Sequence, residues 1–166
     1  MHQAVTFLAR ATAVIGGLVL LALVLLTTVS TLGRELGPGE INGNYEILEA
    51  GVAFAIFSFF PVCQLYGAHA TVDIFTSALP PRFNRAIVAF WEVVLTAALI
   101  LISWRLYEGM QRYIGNGETT FFLQFPVWWS YAASFAASVV TCVVGLYCAA
   151  VRVRGWAHDR DLLPTA

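Results

Sequence analysis

Glu92 is the residue whose position best suits chemistry. It is the only charged side chain deep inside any of the long apolar stretches that fill more than half of this 166-residue sequence. An ionisable group at a bilayer centre costs at least about 2.5 kcal/mol, so it normally faces protein or water. Three readings compete: a proton or cation site, a pairing with an Arg, Lys or polar group on another subunit, or a neutral or snorkelling carboxyl held by a local hydrogen bond. A relay would need a second ionisable group within the apolar stretches, and the sequence offers none. The spacing favours a contact over a reaction.

The other reactive types are placed unfavourably for catalysis. His2, His69 and His158 all lie outside the apolar stretches, so no facing pair of axial ligands exists to hold a haem within the membrane. Cys63, Cys142 and Cys148 have neither zinc-ligand spacing nor the pattern of a disulfide framework, and read as small core or lipid-facing residues. No nucleophile–base constellation and no phosphate-binding glycine loop is visible. The expectation is a protein that is not an enzyme, with no cofactor and no metal site.

Composition says where these residues must sit. Hydrophobic residues make up 59% and charged residues 11% of the chain, against about 45–50% and about 25% in soluble domains. All nine basic residues are Arg, scattered between or outside the apolar runs, which leaves no patch suited to nucleic acid. Residues 11–32, 50–68, 86–104 and 127–151 are each long enough to cross a hydrocarbon core as a helix. The predicted fold is a single all-α integral membrane domain over residues 1–166, with four transmembrane helices. The first run is too long for a signal-peptide core, and it is expected to remain.

Arginine placement predicts the orientation. Arg10, Arg82, Arg85, Arg152, Arg154 and Arg160 lie in the two tails and the second loop, while Arg34, Arg105 and Arg112 lie in the first and third loops. That bias puts both termini in the cytoplasm. In the second loop, Val72, Phe75 and Leu79 recur at helical spacing before Pro80-Pro81, which predicts a short in-plane helix between helices 2 and 3.

Further residues set how the helices meet. Ala9, Ala13 and Gly17, and separately Ala133, Ala137, Thr141 and Gly145, place small side chains at four-residue spacing, as close helix approach in lipid requires. Pro61 removes a backbone donor inside the second span, with Ser58 and Gln64 near enough to satisfy freed groups. Phe121, Phe122, Phe125, Trp128 and Trp129 crowd the start of the fourth span, as an interfacial aromatic belt or a docking surface would, and Pro126 suits a helix's first turn.

Two loop motifs carry a family resemblance. Gly67-Ala68-His69-Ala70-Thr71-Val72-Asp73 follows the second span; Gly117-Glu118-Thr119-Thr120 and then Leu123-Gln124-Phe125-Pro126-Val127-Trp128-Trp129 precede the fourth. In this order around four spans, the sequence from about Leu18 to Arg154 resembles the small membrane subunit of tripartite ATP-independent periplasmic (TRAP) transporters. The resemblance implies a scaffold subunit in a bacterial inner membrane. Its partners would be membrane lipid, a large permease subunit that moves organic acids with a sodium gradient, and a periplasmic solute-binding protein. In that family the substrate and sodium sites belong to the large subunit, so no transport site is carried over. The candidate partner-contact or structural positions are Glu92, His69, Asp73, Pro126, Trp128 and Trp129. The competing reading is a non-transport adaptor or anchor of another membrane complex.

Overall fold

The computed structural model describes residues 2–37, 39–67 and 80–158. His69, Asp73 and the expected in-plane helix all lie outside these described residues. Four helices follow in order: α1 (His2–Leu36), α2 (Asn44–Tyr66), α3 (Pro81–Asn116) and α4 (Trp128–Ala157). All four are long and apolar enough to span a membrane.

The helices run past their apolar runs, α1 and α3 the furthest. At 1.5 Å per residue, the 35 residues of α1 and 36 of α3 reach about 52–54 Å, against a hydrocarbon core of about 30 Å. The apolar spans thus continue into polar helical extensions without a break. Helix α2 ends at Gly67, α3 begins at Pro81, whose missing N–H would be unpaired there anyway, and α3 ends at Gly117.

The helices form a row rather than a closed bundle. Helix α1 packs on α2, α2 on α4 and α4 on α3, while α1 touches α4 only sparsely. Successive helices are antiparallel, so one end of the row carries the start of α1 and the end of α4, and the other carries the α1–α2 and α3–α4 connections. We call these the terminal end and the loop end.

Seam residues repeat at three- and four-residue intervals. On α3 they are Ala89, Glu92, Thr96, Leu99 and Ser103; on α4 they are Ser134, Ala137, Ser138, Thr141, Val144, Gly145, Cys148 and Ala149. This is the spacing that keeps one stripe facing a neighbour along a left-handed crossing. Helix α1 buries only Ala9, Gly16, Leu23 and Ser30, one residue in seven. A Cβ on Gly16 would come within 2.5 Å of the Ser58 Cβ, whereas one on Gly17 would meet only a Phe59 ring atom at 3.9 Å. The close approach predicted at Gly17 occurs one residue earlier. On α4, Ala137, Thr141 and Gly145 are buried as expected, but Ala133 is exposed.

Pro61 sits fully inside α2 and leaves the Phe57 carbonyl without its i+4 donor. The group that satisfies it comes from another helix: the Thr141 hydroxyl donates to the Phe57 carbonyl at 2.8 Å. Ser58 instead donates to its own Phe54 carbonyl, and Gln64 turns elsewhere. Proline thus converts an internal helix bond into a bond between α2 and α4. Replacing Thr141 with Val removes the donor at nearly constant volume and is expected to cost about 1 kcal/mol. In a Pro61→Ala background, where the amide returns, the same change is expected to cost little. Unfolding of the four variants in detergent micelles checks this, and equal costs in both backgrounds would contradict it.

Candidate functional site

Glu92 lies on the α3 seam, 6% exposed, and the structure gives it partners from two other helices. Arg152 on α4 places its Nε 3.3 Å from Glu92 Oε2, and the Arg152 side chain is itself only 8% exposed. Gln64 on α2, fully buried, donates from Nε2 to Glu92 Oε1 at 3.1 Å and to Thr96 Oγ1 at 3.3 Å. The Thr96 hydroxyl donates in turn to the Gly145 carbonyl at 3.3 Å. Arg152 Nη2 donates to the Gln64 carbonyl at 3.2 Å.

The group binds three helices at one level. Gly145 makes room for it, since a Cβ there would stand 2.9 Å from the Gln64 side chain. Glu92 and Thr96 are one turn apart on α3; Thr141, Gly145, Cys148 and Arg152 lie along one stripe of α4. The pairing partner of Glu92 is therefore in the same chain. Arg152 closes the fourth apolar run in the sequence, but α4 continues to Ala157 and the Arg152 side chain is buried within the helix row. Its place on the small-residue stripe of α4 was the signal that could have found it.

Chemically, this is a buried ion pair whose carboxylate accepts from Gln64 and whose guanidinium donates to the Gln64 carbonyl, while the Gln64 side-chain oxygen has no hydrogen-bond partner. A buried ion pair gains little net stability over apolar groups, because desolvation offsets the attraction. Removing one partner, however, strands a buried charge at about 3–5 kcal/mol. Glu92→Gln and Arg152→Gln are each expected to destabilise the chain by about that amount, with the double variant recovering part of the loss. A double-mutant cycle in micelles reads this coupling, and single effects additive to within about 0.5 kcal/mol would show that the two do not act together.

A second constellation lies at the loop end. Residues 118–127 fold back on themselves: the Thr120 N–H donates to the Phe125 carbonyl at 2.9 Å and the Val127 N–H to the Glu118 carbonyl at 3.1 Å. Gln124 makes the reversal with φ 53°. Glu46 in the first turn of α2 receives the N–H groups of Phe122 and Leu123 at 2.7 and 2.9 Å. The Leu123 side chain rests on Gly43, where φ is 80° and any Cβ would come within 2.5 Å of it. Both constraints demand glycine.

The hairpin that carries the second motif is thus latched onto the start of α2 by one carboxylate. Glu46→Ala is expected to free it, raising amide exchange at residues 120–125 with little effect on the helices. Hydrogen exchange by mass spectrometry measures this, and unchanged protection would contradict it.

Of the positions named from sequence, Pro126 closes this hairpin through a bridge to Thr119, and Trp128 and Trp129 open α4 with their rings edge to face at 6.2 Å. Trp128 is half-buried and Trp129 exposed. These three lie at the loop end, at the opposite end of α4 from Arg152 and its partner Glu92, so the described candidate residues form two separate groups. Among the described residues no group of three His, Cys, Asp or Glu side chains is placed to hold a metal.

One family model matches the chain. It is described as the DctQ component of tripartite ATP-independent periplasmic transporters, and it matches residues 23–155. The matched range contains the polar clamp and the latched hairpin entire. No individual curated protein matches the chain.

Proposed function

Because the chain belongs to the DctQ-component family of TRAP transporters, we propose that it is the small scaffold subunit of a sodium-gradient-driven importer of carboxylates. The observation that carries this reading is the family match over residues 23–155, together with four helices long and apolar enough to span a membrane. In this proposal both termini face the cytoplasm and the loop end faces the outside of a bacterial inner membrane, as the arginine bias favours.

The physical character of the chain suits a static role. Its deepest polar groups are committed to one another, and α2 is unbroken across its span. Secondary transporters instead place substrate at broken helices near the midplane. The row of helices offers broad lipid-exposed faces against which a large permease subunit packs. That subunit moves the solute against a support that holds still.

The loop end supplies the docking face for the loaded binding protein. Glu35, Glu40, Glu46 and Glu49 cluster in the first connection and the start of α2, and the hairpin beside them is held in place by Glu46.

Proteoliposomes test the assignment. With this chain, the large permease subunit and the binding protein together, an inward sodium gradient is expected to drive uptake of the carboxylate that the binding protein captures. Reversing Glu35 and Glu40 to Lys should raise the binding-protein concentration needed. Uptake by this chain alone, or undiminished uptake by the other two components without it, would overturn the proposal.

A further inference from the structure

A cleft of about 290 Å³ opens between α2 and α4 at the loop end. One wall is α2, where the small residues Ala50 and Ala53 leave space below Glu46 and Glu49. The opposite wall is α4, with Ser130, Tyr131 and Ser134 at helical spacing, and Thr120 of the hairpin completes the rim. From Glu46 to Ala53 the cleft descends about 10 Å along α2.

The polar lining is only partly matched within the chain: Glu46 accepts the Phe122 and Leu123 amides, while the Ser134 hydroxyl is left over. Ser134 lies deepest, 2% exposed, and its hydroxyl has no hydrogen-bond partner. A buried hydroxyl left unpaired is unfavourable. Above it stand two carboxylates. Glu46 accepts its two backbone bonds, and Glu49 is exposed at the rim. No arginine is among the residues that line the cleft.

The chemistry of these groups selects an occupant. The lining is largely apolar but carries two carboxylates and the hydroxyls of Thr120, Ser130, Tyr131 and Ser134, with no basic side chain among its residues. The volume is far too large for a bare ion, and the acceptors are spread over two helical turns. A branched cation with several N–H donors fits such a set, since a guanidinium presents five in a plane. We propose that this cleft is a binding site for a guanidinium or primary ammonium group, gripped by Glu49 at the rim and the Ser134 hydroxyl at the base. The group belongs either to a basic side chain of a partner docked at the loop end or to a free organic cation.

Thiol labelling tests the site directly. Ser130→Cys is introduced into full-length chain in nanodiscs, with Cys63, Cys142 and Cys148 replaced by Ala. It is then modified with the cationic aminoethyl or the anionic sulfonatoethyl methanethiosulfonate, each rate taken relative to a free thiol. The cationic reagent is expected to react about tenfold faster, Glu49→Gln to bring the two rates together, and methylguanidinium to slow the reaction where choline does not. Ser134→Ala should weaken that protection. Equal rates for the two reagents, a ratio unchanged by Glu49→Gln, or protection by choline equal to that by methylguanidinium would each overturn the assignment.

The source is read by repeating the labelling after assembly with the large subunit and the binding protein. Loss of access to both reagents identifies a partner's side chain, and retained access with methylguanidinium protection identifies a free solute. The nanodisc measurement needs no transport activity, so it stands or falls separately from the proposed importer role.

Discussion

The ion pair between Glu92 and Arg152 is the constraint around which the rest of this chain is arranged. Helix α3 sits at the edge of the row and packs on α4 alone among its large contacts. Gln64 reaches across from α2 to the same carboxylate, so the pair also ties α3 to the middle of the row. Two charges at this depth are tolerable only with each other and with their hydrogen bonds made. Register follows from that requirement. Sliding α3 by one residue against α4 would turn Glu92 away from Arg152 and leave both charges facing lipid or apolar side chains. Where lipid is as apolar as leucine, hydrophobic burial cannot fix register between helices, and polar contacts and small residues do so instead.

The same logic recurs at smaller scale. Pro61 frees a carbonyl, and Thr141 of the neighbouring helix satisfies it. At the loop end, Glu46 collects the amides of a hairpin that would otherwise hang free. Each case is a backbone or side-chain group that cannot remain unpaired, answered from a different helix. Together they make a layer whose parts are cross-linked near the terminal end, midway along the seam and at the loop end. Such a layer resists deformation, which is what a support for a moving neighbour requires.

Much of the fold was legible in the residues themselves. Four long apolar runs, interrupted only by Glu92, read as spanning helices, whereas the ends of α1, α3 and α4 lie beyond the bounds that those runs set. The importance of Glu92 was legible too, from its isolation. Its partner was harder to see, because Arg152 reads as a cap on the fourth apolar run until α4 is known to continue another five residues to Ala157. The same limit hid Thr141, whose value lies in a carbonyl on another helix, and Glu46, which looked like one of four acids in a connection. Periodicity within one helix shows which residues share a face. It does not show which residue on a second helix stands opposite, because that depends on the register and on the order of the row.

The central claim is that the buried charges in this chain serve architecture, and that solute moves elsewhere in the complex. The most direct measurement is uptake by the proposed three-component carboxylate importer carrying the doubly neutral Glu92→Gln, Arg152→Gln chain, normalised to the amount of assembled complex. The account predicts a rate per complex equal to that of the unaltered transporter, with any loss confined to the yield of assembly. Normal assembly with abolished uptake would contradict it, because the pair would then take part in transport itself.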